Sequence, residues 1–247
     1  HQPMIDTTGK NVIVYNGEIY NYQELRDGLE SDGFVFRGTS DTEVLLNLYC
    51  RDGIDMLSAL NGIFAFAIWN QSECSLFLAR DAFGVKPLYY SKTSQGLVFA
   101  SELKAILEAP SISRAIDVQA VQSYLTYLWC PAPRTPLRAV KKFEPGQAML
   151  LRDKRVERSW YFNDNHCVDP VRPMDDREAV AMVSEHIRNA VERQLVADVP
   201  VGAFLSGGLD SSTVVAMARK AYTGDKFLCF TIDAGAQGEG FAEDLPY

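Results

Sequence analysis

Residues 203–213 read AFLSGGLDSST. An apolar run stops at Ser206, two glycines follow, then an acid and two hydroxyls, and a helical pattern begins at once. A chain that leaves a buried strand this way presents unpaired backbone N–H groups at the positive end of a helix, where anions bind. Gly207 and Gly208 let the backbone approach a phosphate without a side chain in the way. Ser206, Ser211 and Ser212 add hydroxyl donors. Asp210, an acid among phosphate ligands, fits a bound Mg²⁺. The loop matches neither GxxxxGK[ST] nor GxGxxG, and GxSxG is absent, so a hydrolase nucleophile is not indicated. The plain alternative is a tight strand-to-helix turn whose Ser and Asp cap the helix.

The surroundings of the loop extend the reading. A strand at Pro200–Leu205, a helix at Ser211–Tyr222 and a strand at Lys226–Ile232 make the strand–helix–strand order of a parallel sheet. Ahead of them, Arg177–Val196 has Val180, Val183, Ile187, Val191 and Leu195 three to four apart, an amphipathic helix. Residues 163–176 are polar with two prolines, a linker by composition. Residues 1–162 are organised differently. Strands are expected at Asn11–Tyr15, Gly62–Trp69, Ser75–Arg80, Leu88–Tyr90, Leu97–Ala100, Gln147–Leu151 and Arg155–Tyr161. Short helices are expected at Gln23–Glu30 and Ala120–Tyr127, and a longer one opens at the capping box Ser40–Glu43 and stops at Gly53. The expectation is therefore a strand-rich α+β domain over 1–162, a linker over 163–176, and the start of an α/β parallel-sheet domain over 177–247.

Composition narrows the function classes. The 247 residues are 47% hydrophobic and 23% charged, enough apolar material for a core. A formal net charge of −8 argues against nucleic-acid partners, which need basic surface. No apolar stretch approaches the roughly 18 residues of a membrane span, and no signal peptide is visible. Five scattered cysteines, without metal spacing, suit a reducing cytoplasm. A homodimer is compatible with the sequence but not indicated by it.

In the first domain, YNGEIYN at Tyr15–Asn21 follows the first strand. Asn16 and Gly17 offer an amide side chain and a bare backbone N–H toward one point, as an oxyanion hole requires. Glu18 can take the ammonium of an amino-acid ligand, and Asp41 is a second acid near the same edge. The alternative is that Asn-Gly makes a hairpin turn and Asp41 merely sits in a helix first turn.

The two motif sets resemble one family. SGGLDSS looks like the PP-loop of ATP pyrophosphatases, and DVPVGAFLSGGLDSS resembles the glutamine-dependent asparagine synthetases. NGEIYN, SDTEV, LNGIFAFAIW and ARDAFGVKPLYY, in that order, resemble the class II glutaminase domain of the same enzymes, a sandwich of the N-terminal-nucleophile type. The resemblance implies that Ser206, Gly207, Gly208, Leu209, Asp210, Ser211 and Ser212 grip the phosphates of ATP with Mg²⁺ on Asp210. It also implies that adenine lies against Phe204 and the backbone of Ile232. Glu243 and Asp244 resemble a family acidic pair, on a loose alignment. Asn16 and Gly17 are the implied oxyanion donors, with Glu18 and Asp41 on the glutamine α-amino group. Arg80, Asp81, Gly84, Lys86 and Pro87 also match, with ion pairing the modest expectation for them.

One departure matters. Class II glutaminases attack with an N-terminal cysteine whose own α-amine is the base, whereas residue 1 here is His and no cysteine precedes Cys50. The expectation is a sandwich incomplete at its start and a second domain incomplete at its end, inactive as it stands. Three functions stay open: an asparagine synthetase using ATP, aspartate and glutamine; a relative amidating another carboxylate, such as a polysaccharide sugar acid, or closing a β-lactam; and a non-catalytic glutaminase-like module.

Overall fold

The computed structural model describes residues 1–162 and 173–231. The chain divides into two compact units, His1–Val168 and Asp169–Tyr247. In the first, β1 (Met4–Ile5), β2 (Asn11–Ile19), α1 (Tyr22–Ser31), α2 (Asp41–Asp52) and a 3₁₀ turn (Gly53–Ala59) come first. They are followed by β3 (Gly62–Asn70), β4 (Ser75–Arg80), β5 (Tyr89–Thr93), β6 (Gly96–Ala100), α3 (Leu103–Ile106) and α4 (Val118–Tyr127). β7 (Lys141–Lys142), β8 (Gln147–Arg152) and β9 (Arg155–Tyr161) close the unit. Six strands pair in the order β1-β2-β3-β4-β8-β9 and three in the order β6-β5-β7.

Alternation along β3 explains how the two sheets stack. Phe64, Phe66 and Ile68 face one way, into a core with Leu29 of α1 and Val44, Leu45 and Leu48 of α2. Ala65 and Ala67 face the other way, into a core with Leu78, Leu88 and Phe143, bordered by Tyr90, Leu97 and Phe99. Bulky residues carry the helices, while small ones let the second sheet approach to the roughly 10 Å of face-to-face packing. A third cluster joins Ile106 of α3 and Val140 to Tyr89, Val98 and Ala100 on the outer side of the smaller sheet. The unit is thus a helix–sheet–sheet–helix sandwich. Burying a phenylalanine side chain contributes roughly 1.5–3 kcal/mol, and Phe64, Phe66 and Phe77 are all at least 98% buried. Phe77 also stacks on Trp160 with ring centroids 6.0 Å apart.

Two expectations for this unit are corrected. The first strand does not stop at Tyr15: β2 continues to Ile19 and pairs Asn16, Gly17 and Glu18 with Ala65, Phe64 and Ile63. The Asn-Gly turn signal is overridden because β3 offers a full-length partner. The strand expected at Leu88–Tyr90 starts at Tyr89 instead and extends to Thr93. The 3₁₀ turn, α3 and the two-residue strands β1 and β7 are too short to leave a periodic signal.

The second unit contains α5 (Asp176–Gln194), β10 (Gly202–Phe204), α6 (Leu209–Ala221) and β11 (Leu228–Phe230). β10 and β11 are parallel, with Gly202 opposite Leu228, and α6 makes the crossover. Gly202 allows that approach, since a Cβ there would lie 2.8 Å from the Leu228 carbonyl oxygen. Asp175 caps α5 through the Glu178 N–H at 2.8 Å. The expected helix is present as α5, and among the described residues its apolar stripe is open, Val180 and Val183 being 65% and 56% exposed. Among the described residues no helix is long and apolar enough to cross a membrane.

Candidate functional site

The first site is built on one edge of β2. Backbone groups of a strand alternate in direction. The Tyr20 N–H donates toward β3, to the Asn61 carbonyl at 2.8 Å. The odd-numbered residues turn the other way: Tyr15 N–H donates to Gln2 Oε1 at 2.6 Å and Ile19 N–H to Asp41 Oδ2 at 3.1 Å. Gly17 lies midway between them, so its N–H faces the same edge. β1 covers that edge only at Val12 and Ile13. A side chain at position 17 has no room, because a Cβ would lie 2.3 Å from Ile63 O and 2.8 Å from Phe64 Cα.

The Asn16 side chain leaves the opposite face of the strand, and its Nδ2 donates to Ser101 Oγ at 3.4 Å. A cavity of about 390 Å³ lies there between the sheets, lined by Gln2, Tyr15, Asn16, Ala65, Phe99 and Ser101 among others. Asp41 reaches β2 from the start of α2. Ser40 caps that helix, its Oγ accepting from Glu43 N–H at 3.4 Å. The box is half formed, because Glu43 turns instead to the N–H groups of Arg37 and Gly38 at 2.9 Å. Asp41 Oδ2 accepts from Ile19 N–H and, at 2.7 Å, from the Tyr15 hydroxyl. Burial first, then the Asp41 charge and hydrogen bond, then Glu18, push the Tyr15 phenol well above the usual tyrosine range. That phenol donates to Asp41 and lies in the field of both carboxylates. Asn16, Gly17 and Glu18 therefore lie inside β2 rather than on a turn, with Asn16 facing the cavity, and Asp41 reaches the same strand from the first turn of α2.

The run from Arg80, the last residue of β4, to Lys86 has a different job from the expected ion pairing. Asp81 is fully buried and accepts from the N–H groups of Phe64, Phe83, Val85 and Lys86 at 3.0–3.3 Å. Arg80 donates to the carbonyls of Lys86, Gly84 and Phe143. Both charges serve backbone groups, so salt bridging is the wrong account of them. Gly84, at φ +64°, lies in the turn that both residues hold, its carbonyl accepting from Arg80 and its N–H donating to the Asp81 carbonyl. Because Phe64 pairs with Gly17, this knot fixes the strand behind the candidate oxyanion donor.

In the second unit, α6 begins at Leu209 behind Gly208, with no side chain capping its first turn. Gly207 has φ +86°, open to glycine at little cost. The Ser206 and Ser211 hydroxyls lie 3.0 Å apart, and Ser211 donates to Gly208 O at 3.1 Å, so both close on the loop itself. Asp210 is exposed in the first turn, Ser212 is exposed beyond it, and Phe204 is 79% exposed at the end of β10. Ile232, Glu243 and Asp244 lie outside the described residues. Tyr15, Gln2 and Ser101 were not singled out from sequence. Reading β2 through to Ile19 is the signal that finds Tyr15, since alternation then sends it toward Asp41.

Two family models match the chain, one described as a glutamine amidotransferase domain over residues 1–162 and one as asparagine synthase over residues 182–247. The chain belongs to the glutamine amidotransferase domain family, with a match to the asparagine synthase family following in the same chain. It is 41% identical over 232 residues to asparagine synthetase [glutamine-hydrolyzing] 1 of Bacillus subtilis (strain 168), covering 94% of this chain and 35% of that protein. Asparagine synthetase [glutamine-hydrolyzing] 3 of the same organism is 42% identical over 212 residues, 83% of this chain and 33% of its own length. Amidase chyE of Penicillium rubens is 34% identical over 222 residues, 88% of this chain and 32% of its own length. The chain spans about a third of the length of these relatives.

Proposed function

We propose that the chain carries the glutaminase domain, and the beginning of the ATP-pyrophosphatase domain, of a glutamine-hydrolysing asparagine synthetase. The observation that carries this is the succession of the two family matches, 1–162 then 182–247, along one chain. The overall reaction is ATP + aspartate + glutamine to asparagine + glutamate + AMP + diphosphate. Glutamine is held by its α-ammonium on Asp41 and Glu18. Its carboxamide oxygen is directed to the Gly17 N–H and the Asn16 amide, donors that gain strength as negative charge develops there. Among the described residues no cysteine lines the cavity. The family resemblance assigns the attack to an N-terminal cysteine thiolate of the mature protein.

Ser206–Ser212 would hold the phosphates of ATP. The uncapped first turn of α6 and the bare Gly207–Gly208 backbone fit an anion, and exposed Asp210 fits Mg²⁺, which supplies charge neutralisation as the nucleotide reacts. Four unpaired cysteines among the described residues suit the cytoplasm.

A second reading has its own support: the relative named an amidase matches over the same residues, so the amide acceptor need not be aspartate. The test of both is the protein from the complete open reading frame, supplied with glutamine, MgATP and a panel of carboxylic acids. Asparagine synthesis predicts glutamate, AMP and diphosphate with aspartate alone; another productive acid favours the second reading. ADP and phosphate as products contradict both.

A further inference from the structure

Tyr15 has no part in the reading above, yet it touches both ends of the candidate glutamine site. Its ring lies over Gly17, where a Cβ would come within 2.8 Å of Tyr15 Cε2. Its hydroxyl donates to Asp41 Oδ2 at 2.7 Å, the oxygen that also accepts from Ile19 N–H at 3.1 Å. Its backbone is clamped from outside, N–H to Gln2 Oε1 at 2.6 Å and carbonyl from Gln2 Nε2 at 2.8 Å. Two donors on one oxygen leave Asp41 Oδ1 as the oxygen that can meet an ammonium. A phenol bonded to a carboxylate makes a charge-assisted hydrogen bond, stronger than a neutral one.

We infer that Tyr15 is a positioning residue: a strut between Gly17 and the Asp41 carboxylate that fixes Oδ2 against β2 and leaves Oδ1 for the α-ammonium of the ligand. The inference rests on the reading of Gly17 and Asp41 as the two ends of the glutamine site. The ring also packs against the helix-side core, so the informative change removes the hydroxyl alone. In Tyr15→Phe the carboxylate loses its strut and ligand binding weakens, while the oxyanion donors stay in place.

The experiment is a double-mutant cycle in the protein from the complete open reading frame, read as glutamine hydrolysis. Tyr15→Phe should raise KM for glutamine about 5–10-fold, the size of one hydrogen bond to a charged group, with kcat within about 2-fold. Asp41→Asn should raise KM further, and on that background Tyr15→Phe should add almost nothing. If Asp41→Asn leaves KM unchanged, the reading of the site falls and takes the strut with it. If Asp41→Asn raises KM but Tyr15→Phe does not, or if the two penalties multiply in full, the strut alone is overturned. A merely structural tyrosine would lower the melting temperature and kcat without coupling to Asp41. Should the phenylalanine variant not fold, the Cζ carbon resonance of labelled Tyr15 in the native protein replaces it: movement on titrating glutamine supports the strut, and no movement overturns it.

Discussion

Gly17 concentrates two demands in one residue, because its N–H must face an open strand edge and its α-carbon must fit between the Ile63 carbonyl and the Tyr15 ring. Gly17→Ala is therefore expected to lower glutamine hydrolysis by about 100-fold or more in the complete protein, in line with loss of one oxyanion donor. Hydrolysis kinetics beside a circular-dichroism spectrum check this; near-native turnover contradicts it. The Tyr15 phenol gives a pH prediction. Its folded-state pKa lies above the unfolded value of about 10, so the folded state binds the proton more tightly. Its stabilising contribution is complete below that pH and is lost as pH rises beyond it. Phenolate absorbance should then show one fewer tyrosine ionising only with unfolding in Tyr15→Phe than in the native protein. Cys50 behaves similarly on a smaller scale, its thiol pushed up to about 11 by burial and by the Asp6 charge.

At the scale of elements, caps and buried acceptors set the local stability. Ser40→Ala removes the N-cap of α2 and should cost about 1 kcal/mol in denaturant unfolding. Asp81→Asn should cost more, about 3 kcal/mol, because a donor replaces an acceptor facing a ring of buried N–H groups. Equal costs for the two would contradict the account of the knot after β4. Elements with a cap, a stop or a long apolar alternation were legible in the sequence: α2 between Ser40 and Gly53, β3 with its alternating Phe and Ala, and the parallel pair around α6. β2 was cut short because Asn16-Gly17 reads locally as a turn, and only the partner strand decides otherwise. The stripe on α5 was legible as a helix face, but not what would cover it. Arg80 and Asp81 could be matched to a family motif, yet their task of satisfying backbone groups depends on a turn that spacing alone does not reveal.

For the whole molecule, the claim is that two sites of different chemistry follow one another on one chain. Their independence is testable by hydrogen exchange on the complete protein. Glutamine should slow exchange about residues 15–19 and leave the glycine loop unchanged, and MgATP should do the reverse at 206–212. Chelating the metal should undo the second effect alone. The candidate residues of both units could be named in order from the sequence; their directions could not, since the Gly17 N–H faces the edge of β2 and the Asn16 side chain faces the cavity, in a strand that sequence reading ended at Tyr15. The most direct measurement is a crystal structure of the complete protein with glutamine bound. The account predicts the side-chain carboxamide oxygen about 3 Å from both Gly17 N and Asn16 Nδ2, with the α-ammonium on Asp41 Oδ1. Glutamine seated elsewhere, or the Gly17 N–H taken by a neighbouring strand while glutamine binds, would contradict it.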